Sequence, residues 1–382
     1  MERPIYLDYN ATTPIAPEVL DAMLPFLREQ FGNPSSSHAY GAAAHDAVVL
    51  ARSQVAGLIG CQPDEIVFTG AGSEANNLAI KGVAFARRGQ GDHLITSAVE
   101  HPAILNACRY LVERFGYRLT VLPVDGHGLV DPDDVARAIE PRTVLITIMH
   151  ANNEVGTIQP TAEIAEVARQ HGVPFHTDAA QSVGKIAARV DELGIDLLTI
   201  VGHKLYAPKG IGALYVRSGT VLDSLVHGAG HEGGRRAGTE NVPYMVALGA
   251  ACALAGDRLA SGGVGRTQAL ADRLHALLQD GVPGLSLNGH PERRLPNTLN
   301  VSLPGQDGEE LLARTPAIAA STGSACHAGR TEPSGVLLAM GIARERALGA
   351  VRLSLGYQTT ASEIETAATA LIQSVRVAAG RR

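Results

Sequence analysis

The sequence predicts an α/β fold: a large domain on a mostly parallel seven-stranded sheet, followed by a smaller α+β domain. Three observations carry this reading. Short apolar runs rich in β-branched residues alternate with amphipathic stretches between residues 60 and 260. The first of those runs ends in a glycine turn, Thr69-Gly70-Ala71-Gly72, that opens a helical stretch. After Ala260 the regular alternation stops and the texture becomes that of mixed strands and helices. The expected domains are therefore 16–260 for the large unit and 1–15 with 261–382 for the small one.

In chain order, the expected strands of the large domain are 66–69, 94–97, 119–123, 144–149, 175–177, 197–201 and 213–216. Between them, Pro160-Thr161-Ala162-Glu163-Ile164 begins a helix running to Gln170. Its apolar positions are Ile164, Val167 and Ala168, and Gly172 marks its exit. In the second domain Ser261-Gly262-Gly263 reads as a loop and 268–278 as a helix. Residues 297–302, 317–320 and 351–355 read as strands, and 362–377 as a closing helix. No internal repeat or low-complexity tract interrupts the chain.

Composition narrows the class. Of 382 residues, 45% are hydrophobic and 18% charged, enough apolar material for a core and too little charge for a disordered chain. The net charge of −6 offers no general attraction to nucleic-acid phosphates. Four cysteines in a chain this long are no disulfide scaffold and point to a reducing, cytoplasmic setting. No secretory leader opens the sequence, and no run of some 18 apolar residues supplies a membrane span. Metal chemistry has no support, since there is neither H-E-x-x-H nor C-x-x-C.

Four local patterns carry chemistry. The turn ahead of Gly72 and Ser73 would present unpaired N–H groups at a helix start, a seat for a phosphate, with a plain turn as the alternative. It also matches G-x-G-x-x-A, but the acid about 20 residues on, Asp92, precedes the next strand instead of ending it, which disfavours a dinucleotide. Asp178 ends an apolar run, where open α/β sheets bind ligands. It could hold a protonated ring nitrogen or simply cap a helix. Lys204 follows the run 197–201, and a partly buried lysine there has its amine freed for a Schiff base, a surface lysine at a strand end being the alternative. A lysine, an acid and a phosphate seat together make the set that binds pyridoxal phosphate (PLP). Finally, Cys326 lies among Ser, Gly, Ala and His residues, as a reactive thiol on an exposed loop would, with an ordinary loop cysteine as the alternative. Cys61, Cys108 and Cys252 read as packing residues.

Six segments in order then resemble the cysteine desulfurases, PLP enzymes of fold type I. They are Phe31-Gly32-Asn33-Pro34-Ser35-Ser36, Glu100-His101, Met149 through Gly156, Gly202-His203-Lys204, Gly238-Thr239-Glu240-Asn241 and Gly323-Ser324-Ala325-Cys326. The likeness spans essentially the whole chain, beginning in Ile5-Tyr6-Leu7-Asp8-Tyr9-Asn10. It implies that Lys204 carries the cofactor and shuttles a proton, that Asp178 pairs with the ring nitrogen and that Gln181 faces the ring oxygen. His101 would stack on the ring and act as acid–base partner. Gly72, Ser73 and His203 would seat the phosphate, joined by Thr239 from the other subunit of a homodimer. Asn153 and Arg352 would hold the substrate carboxylate, and Cys326 would take the sulfur as a persulfide. L-cysteine would become L-alanine, and the sulfur would pass to a protein acceptor such as an iron–sulfur scaffold or a thiolation enzyme. Val201 departs from the serine usual at that place. There, and in Ala325-Cys326-His327, the sequence is similar to selenocysteine lyases, the alternative activity.

Overall fold

The computed structural model describes residues 3–323 and 332–379. Twelve strands run through them: β1 (Ile5–Tyr6), β2 (Ile66–Thr69), β3 (His93–Ser97), β4 (Arg118–Leu122), β5 (Thr143–Thr147), β6 (Phe175–Asp178), β7 (Leu197–Val201), β8 (Gly212–Val216), β9 (Ser286–Asn288), β10 (Thr298–Ser302), β11 (Ile318–Ala319) and β12 (Ala350–Ser354). Seven of them form one sheet in the order β2-β8-β7-β6-β5-β3-β4. Only β8 runs antiparallel to its neighbours, so the sheet is mostly parallel, as expected.

Alternation along the strands explains why both faces are covered. Ile66, Phe68, Ile95, Ile146, Leu198 and Ile200 point into one core, shared with the helices Ala39–Ile59, Thr161–Gln170 and Val242–Ala260. Val67, Leu94, Leu145 and Leu197 point the other way, against the helices Gly72–Ala86 and Pro102–Phe115. Nearly every strand residue of β2, β3, β5, β6, β7 and β8 is thus removed from water, which is why these runs read as continuously apolar.

The smaller α+β part holds the antiparallel sheet β12-β10-β9 and the parallel pair β1-β11. Leu299, Val301, Val351 and Leu353 pack there with Leu274 and Leu278 of the helix Gly263–Gly281 and with Ile364 and Leu371 of the closing helix. That first helix starts five residues earlier than its apolar pattern suggested. The turn is completed at Gly262, whose φ of 78° ends the preceding segment and leaves Gly263 free to begin the helix. The strand read as 144–149 leaves regular geometry after Thr147. Ile148 and His150 nonetheless still donate their N–H groups to His176 and Asp178. No helix among the described residues is long and apolar enough to cross a membrane.

Candidate active site

The C-terminal ends of β2, β6 and β7 meet at one place, because antiparallel β8 lies between β2 and β7 and leaves those two parallel. A cavity of about 290 Å³ opens there, lined among others by Gly72, Ser73, His101, Asn153, Asp178, Gln181, His203, Lys204 and Arg352. The structure therefore brings together nine of the eleven residues proposed from the sequence. Thr239 is exposed and does not line this cavity, and Cys326 lies outside the described residues.

Lys204 closes the short 3-10 turn that leaves β7. Its Nζ donates to the carbonyls of Asn10 and Ala11, both at 2.6 Å. Burial lowers its pKa to about 8, helped by the charge of Arg352 and opposed by Asp8 and Asp178. Such an amine is about one-tenth neutral at pH 7, far more than an ordinary lysine, and loses its proton readily. Asp178 ends β6 and is buried; its carboxylate accepts from Asn76 Nδ2 at 2.8 Å and from the Ala180 N–H at 3.0 Å.

The helix Gly72–Ala86 starts at the cavity wall with Ala71 as its N-cap, a residue with no side-chain acceptor for the first N–H groups. Some other helices are capped by a side chain, as His101 and Asp307 do for theirs. Gly72 is required by close approach: a Cβ on it would stand 2.3 Å from Val201 Cγ2. His203 Nδ1 is engaged by Thr12 Oγ1 at 3.1 Å, and burial pushes its pKa down to about 4, so it is a neutral ring at the edge of the site.

His101 caps the helix Pro102–Phe115, its Nδ1 accepting from the Ala103 N–H at 3.1 Å. Desolvation lowers its pKa, Asp178 opposing and Lys204 reinforcing the shift, although the residue is exposed overall. Beneath it, Glu100 is fully enclosed and its pKa rises to about 8 through burial. It accepts from Ser97 Oγ at 2.7 Å and from the Met149 N–H at 2.9 Å, which ties the His101 turn to the chain after β5. Arg352 on β12 donates to Asp8 at 2.6 Å and to the Asn153 carbonyl at 3.0 Å, while its buried Nε has no hydrogen-bond partner among the described residues.

These groups fit pyridoxal phosphate. An uncapped helix start with Ser73 and neutral His203 suits a phosphate. A buried carboxylate facing the cavity suits a protonated ring nitrogen, and an amine with a lowered pKa suits an aldehyde. Sequence reasoning gave no role to Asn10, Asn76 or Glu100, although all three lie in or at the end of segments it singled out. Asn76 had a usable signal: it stands one turn into the helix that begins at Gly72, hence on the cavity side. Of the remaining cysteines, Cys108 and Cys252 are buried and Cys61 half-buried, with burial raising all three pKa values, as packing residues would have.

A family model described as aminotransferase class-V matches residues 5–366. The cysteine desulfurase IscS of Dictyoglomus turgidum is 47% identical over 366 residues, covering 95% of this chain and 92% of that protein. Among solved structures, a NifS-like protein superposes with a TM-score of 0.90 at 34% identity, covering 97% of this chain and 98% of the other. A structure described as SspA in complex with cysteine gives 0.82 at 41% identity, with 92% and 98% covered.

Proposed function

The chain belongs to the aminotransferase class-V family, among its cysteine desulfurases, and from that premise we propose how its own residues carry out the reaction. It is a PLP-dependent enzyme that converts L-cysteine to L-alanine and passes the sulfur on as a persulfide. The observation that supports the assignment of residues best is the convergence of Lys204, Asp178 and the uncapped helix start at Gly72 on one cavity.

Lys204 would hold the cofactor through Nζ, Asp178 the ring nitrogen, and Gln181 the ring oxygen. Ser73, His203 and the N–H groups at Gly72 would hold the phosphate. When bound, PLP supplies an aldehyde for amines and a ring that withdraws electrons from the substrate's α-carbon. With a pKa of about 8, Lys204 can accept a proton at that carbon and return it. His101, whose lowered pKa favours the neutral ring, would take the thiol proton. Asn153 and Arg352, whose Nε is unpartnered, would receive the carboxylate.

Cys326 then attacks the substrate sulfur. A sulfur–sulfur bond forms, the carbon–sulfur bond breaks, and its electron pair stays on carbon, which is protonated to alanine. Thiol plus cysteine gives persulfide plus alanine with no outside oxidant. The persulfide passes to a protein acceptor; an iron–sulfur scaffold or a thiolation enzyme are the acceptors we propose. We also propose a homodimer in which Thr239 completes the partner's phosphate seat, and a cytoplasmic setting.

The test incubates the purified protein with cysteine and measures alanine and trapped sulfide. Cys326→Ala should keep the cofactor's absorbance and lose persulfide transfer; equal sulfur release would remove Cys326 from the mechanism. Because Val201 resembles the selenocysteine lyases, rates on selenocysteine belong beside those on cysteine. A preference for selenocysteine by several orders of magnitude would replace the cysteine reading.

A further inference from the structure

A second lysine stands behind the first. Lys185 lines an adjoining cavity of about 210 Å³ that shares Lys204 with the active site but does not include Asp178, His101 or Gly72. Its Nζ is enclosed and donates to Gln181 Oε1 at 2.8 Å and to Asn10 Oδ1 at 3.0 Å. Both acceptors belong to residues that line the cofactor cavity.

The two amides so contacted each have only one consistent orientation. Gln181 receives Lys185 on Oε1, so its Nε2 is the end that donates to the Asn10 carbonyl, at 3.0 Å. Asn10 receives Lys185 and Asn297 Nδ2 on Oδ1, so its Nδ2 donates to Thr298 Oγ1 at 2.8 Å and to the Asn153 carbonyl at 3.2 Å. The Asn10 carbonyl is in turn the acceptor for Lys204. Lysine has N–H groups enough for both contacts whether charged or neutral, and as an ammonium it offers no acceptor. Together with the Asn10 carbonyl, it therefore sets which end of the Gln181 amide, N–H or carbonyl, is presented forward.

We propose that Lys185 is a positioning residue of this enzyme: acting through Gln181, it helps fix the amide donor that faces the cofactor's ring oxygen. This rests on the pocket being the PLP site. Without Lys185 only the Asn10 carbonyl holds that orientation, and the Gln181 amide turns more readily to present a carbonyl to an oxygen, which repels where it had attracted.

The experiment measures PLP affinity of the full-length protein by absorbance titration in four forms: wild type, Lys185→Met, Gln181→Ala and the double variant. Lys185→Met should weaken binding by about 5- to 10-fold, the scale of one lost hydrogen bond. In the Gln181→Ala background the same change should add less than about twofold, because the residue it acts through is gone. A full second loss in the double variant overturns the proposal, as does wild-type affinity in Lys185→Met. If the Met variant does not fold by far-UV circular dichroism, Lys185→Gln takes its place, since it offers Gln181 either a donor or an acceptor and so also releases the orientation. Borohydride reduction of the wild type followed by peptide mapping tests the underlying reading separately. Label on Lys204 upholds the site, label on Lys185 overturns the positioning role, and no label overturns the PLP site itself.

Discussion

At the scale of residues, the site is governed by what burial does to charge. Lys204 has its folded-state pKa depressed to about 8 from an ordinary 10.5, so folding disfavours its charged form. Below about pH 8 the penalty is fully present; between about 8 and 10.5 the unfolded chain binds the extra proton, and stability rises with pH. Comparing the cofactor-free wild type with Lys204→Met by denaturant unfolding should show this. The difference should move in favour of the wild type by on the order of 1–3 kcal/mol from pH 7.5 to 10.5. A pH-independent difference would mean the amine is ordinarily solvated. Residue types and spacing made Lys204, Asp178 and the Gly72 turn legible in the sequence, because each sits at the end of an apolar run. Asn10 was not legible as a hub. It touches Gln181, Lys185 and Lys204 across more than 170 positions of chain, and nothing local in Tyr9-Asn10-Ala11 encodes those contacts.

Elements hold these residues in register, and two of them are joined with little room to spare. The helix starting at Gly72 and the end of β7 touch where Val201 Cγ2 fills the place of an absent Cβ. Gly72→Ala should destabilise the protein by about 1–3 kcal/mol and weaken PLP binding, since the helix start must move off the cavity wall. Adding Val201→Ala should restore much of both, by thermal melting and absorbance titration; no recovery would place the fault elsewhere. A second junction involves Glu154, buried and hydrogen-bonded by Ser334 Oγ, while Gly323 lies so near that a Cβ there would be 2.7 Å from its Oε2. Burial raises the Glu154 pKa to about 7 from 4.5, with Ser334 and Arg352 opposing. Its contribution is complete below about pH 4.5 and is lost as pH rises through 7. Glu154→Gln should therefore gain on the wild type by on the order of 1–3 kcal/mol between pH 4.5 and 8 in unfolding experiments. A constant offset would mean the carboxyl stays charged throughout. The long buried strands were readable because both faces are apolar. β1 and β9, with two and three residues, carry too few positions for any period to register.

For the whole molecule, the cavity seen in one chain contains every proposed phosphate group except Thr239, which is exposed on its own subunit. Nearby in sequence to the Phe31-Gly32-Asn33 segment lies an apolar surface that one chain leaves open. Phe31 is 76% and Tyr40 61% exposed, their rings stacked 5.6 Å apart, and Leu27 and Leu50 are exposed as well. This surface is the one we assign to the seam of the proposed homodimer. Phe31→Asp should shift the protein toward monomer in sedimentation velocity and lower PLP occupancy with it. The link between assembly and chemistry is tested by mixing two inactive variants, Lys204→Ala and Thr239→Asp. In a dimer with Thr239 acting across the seam, each mixed pair has one site with Lys204 from one chain and Thr239 from the other, both native. Random re-pairing of equal amounts then restores about one quarter of the wild-type rate per site. If Thr239 served its own chain, every site in the mixture would still carry one lesion, and the rate would stay at the level of the parents.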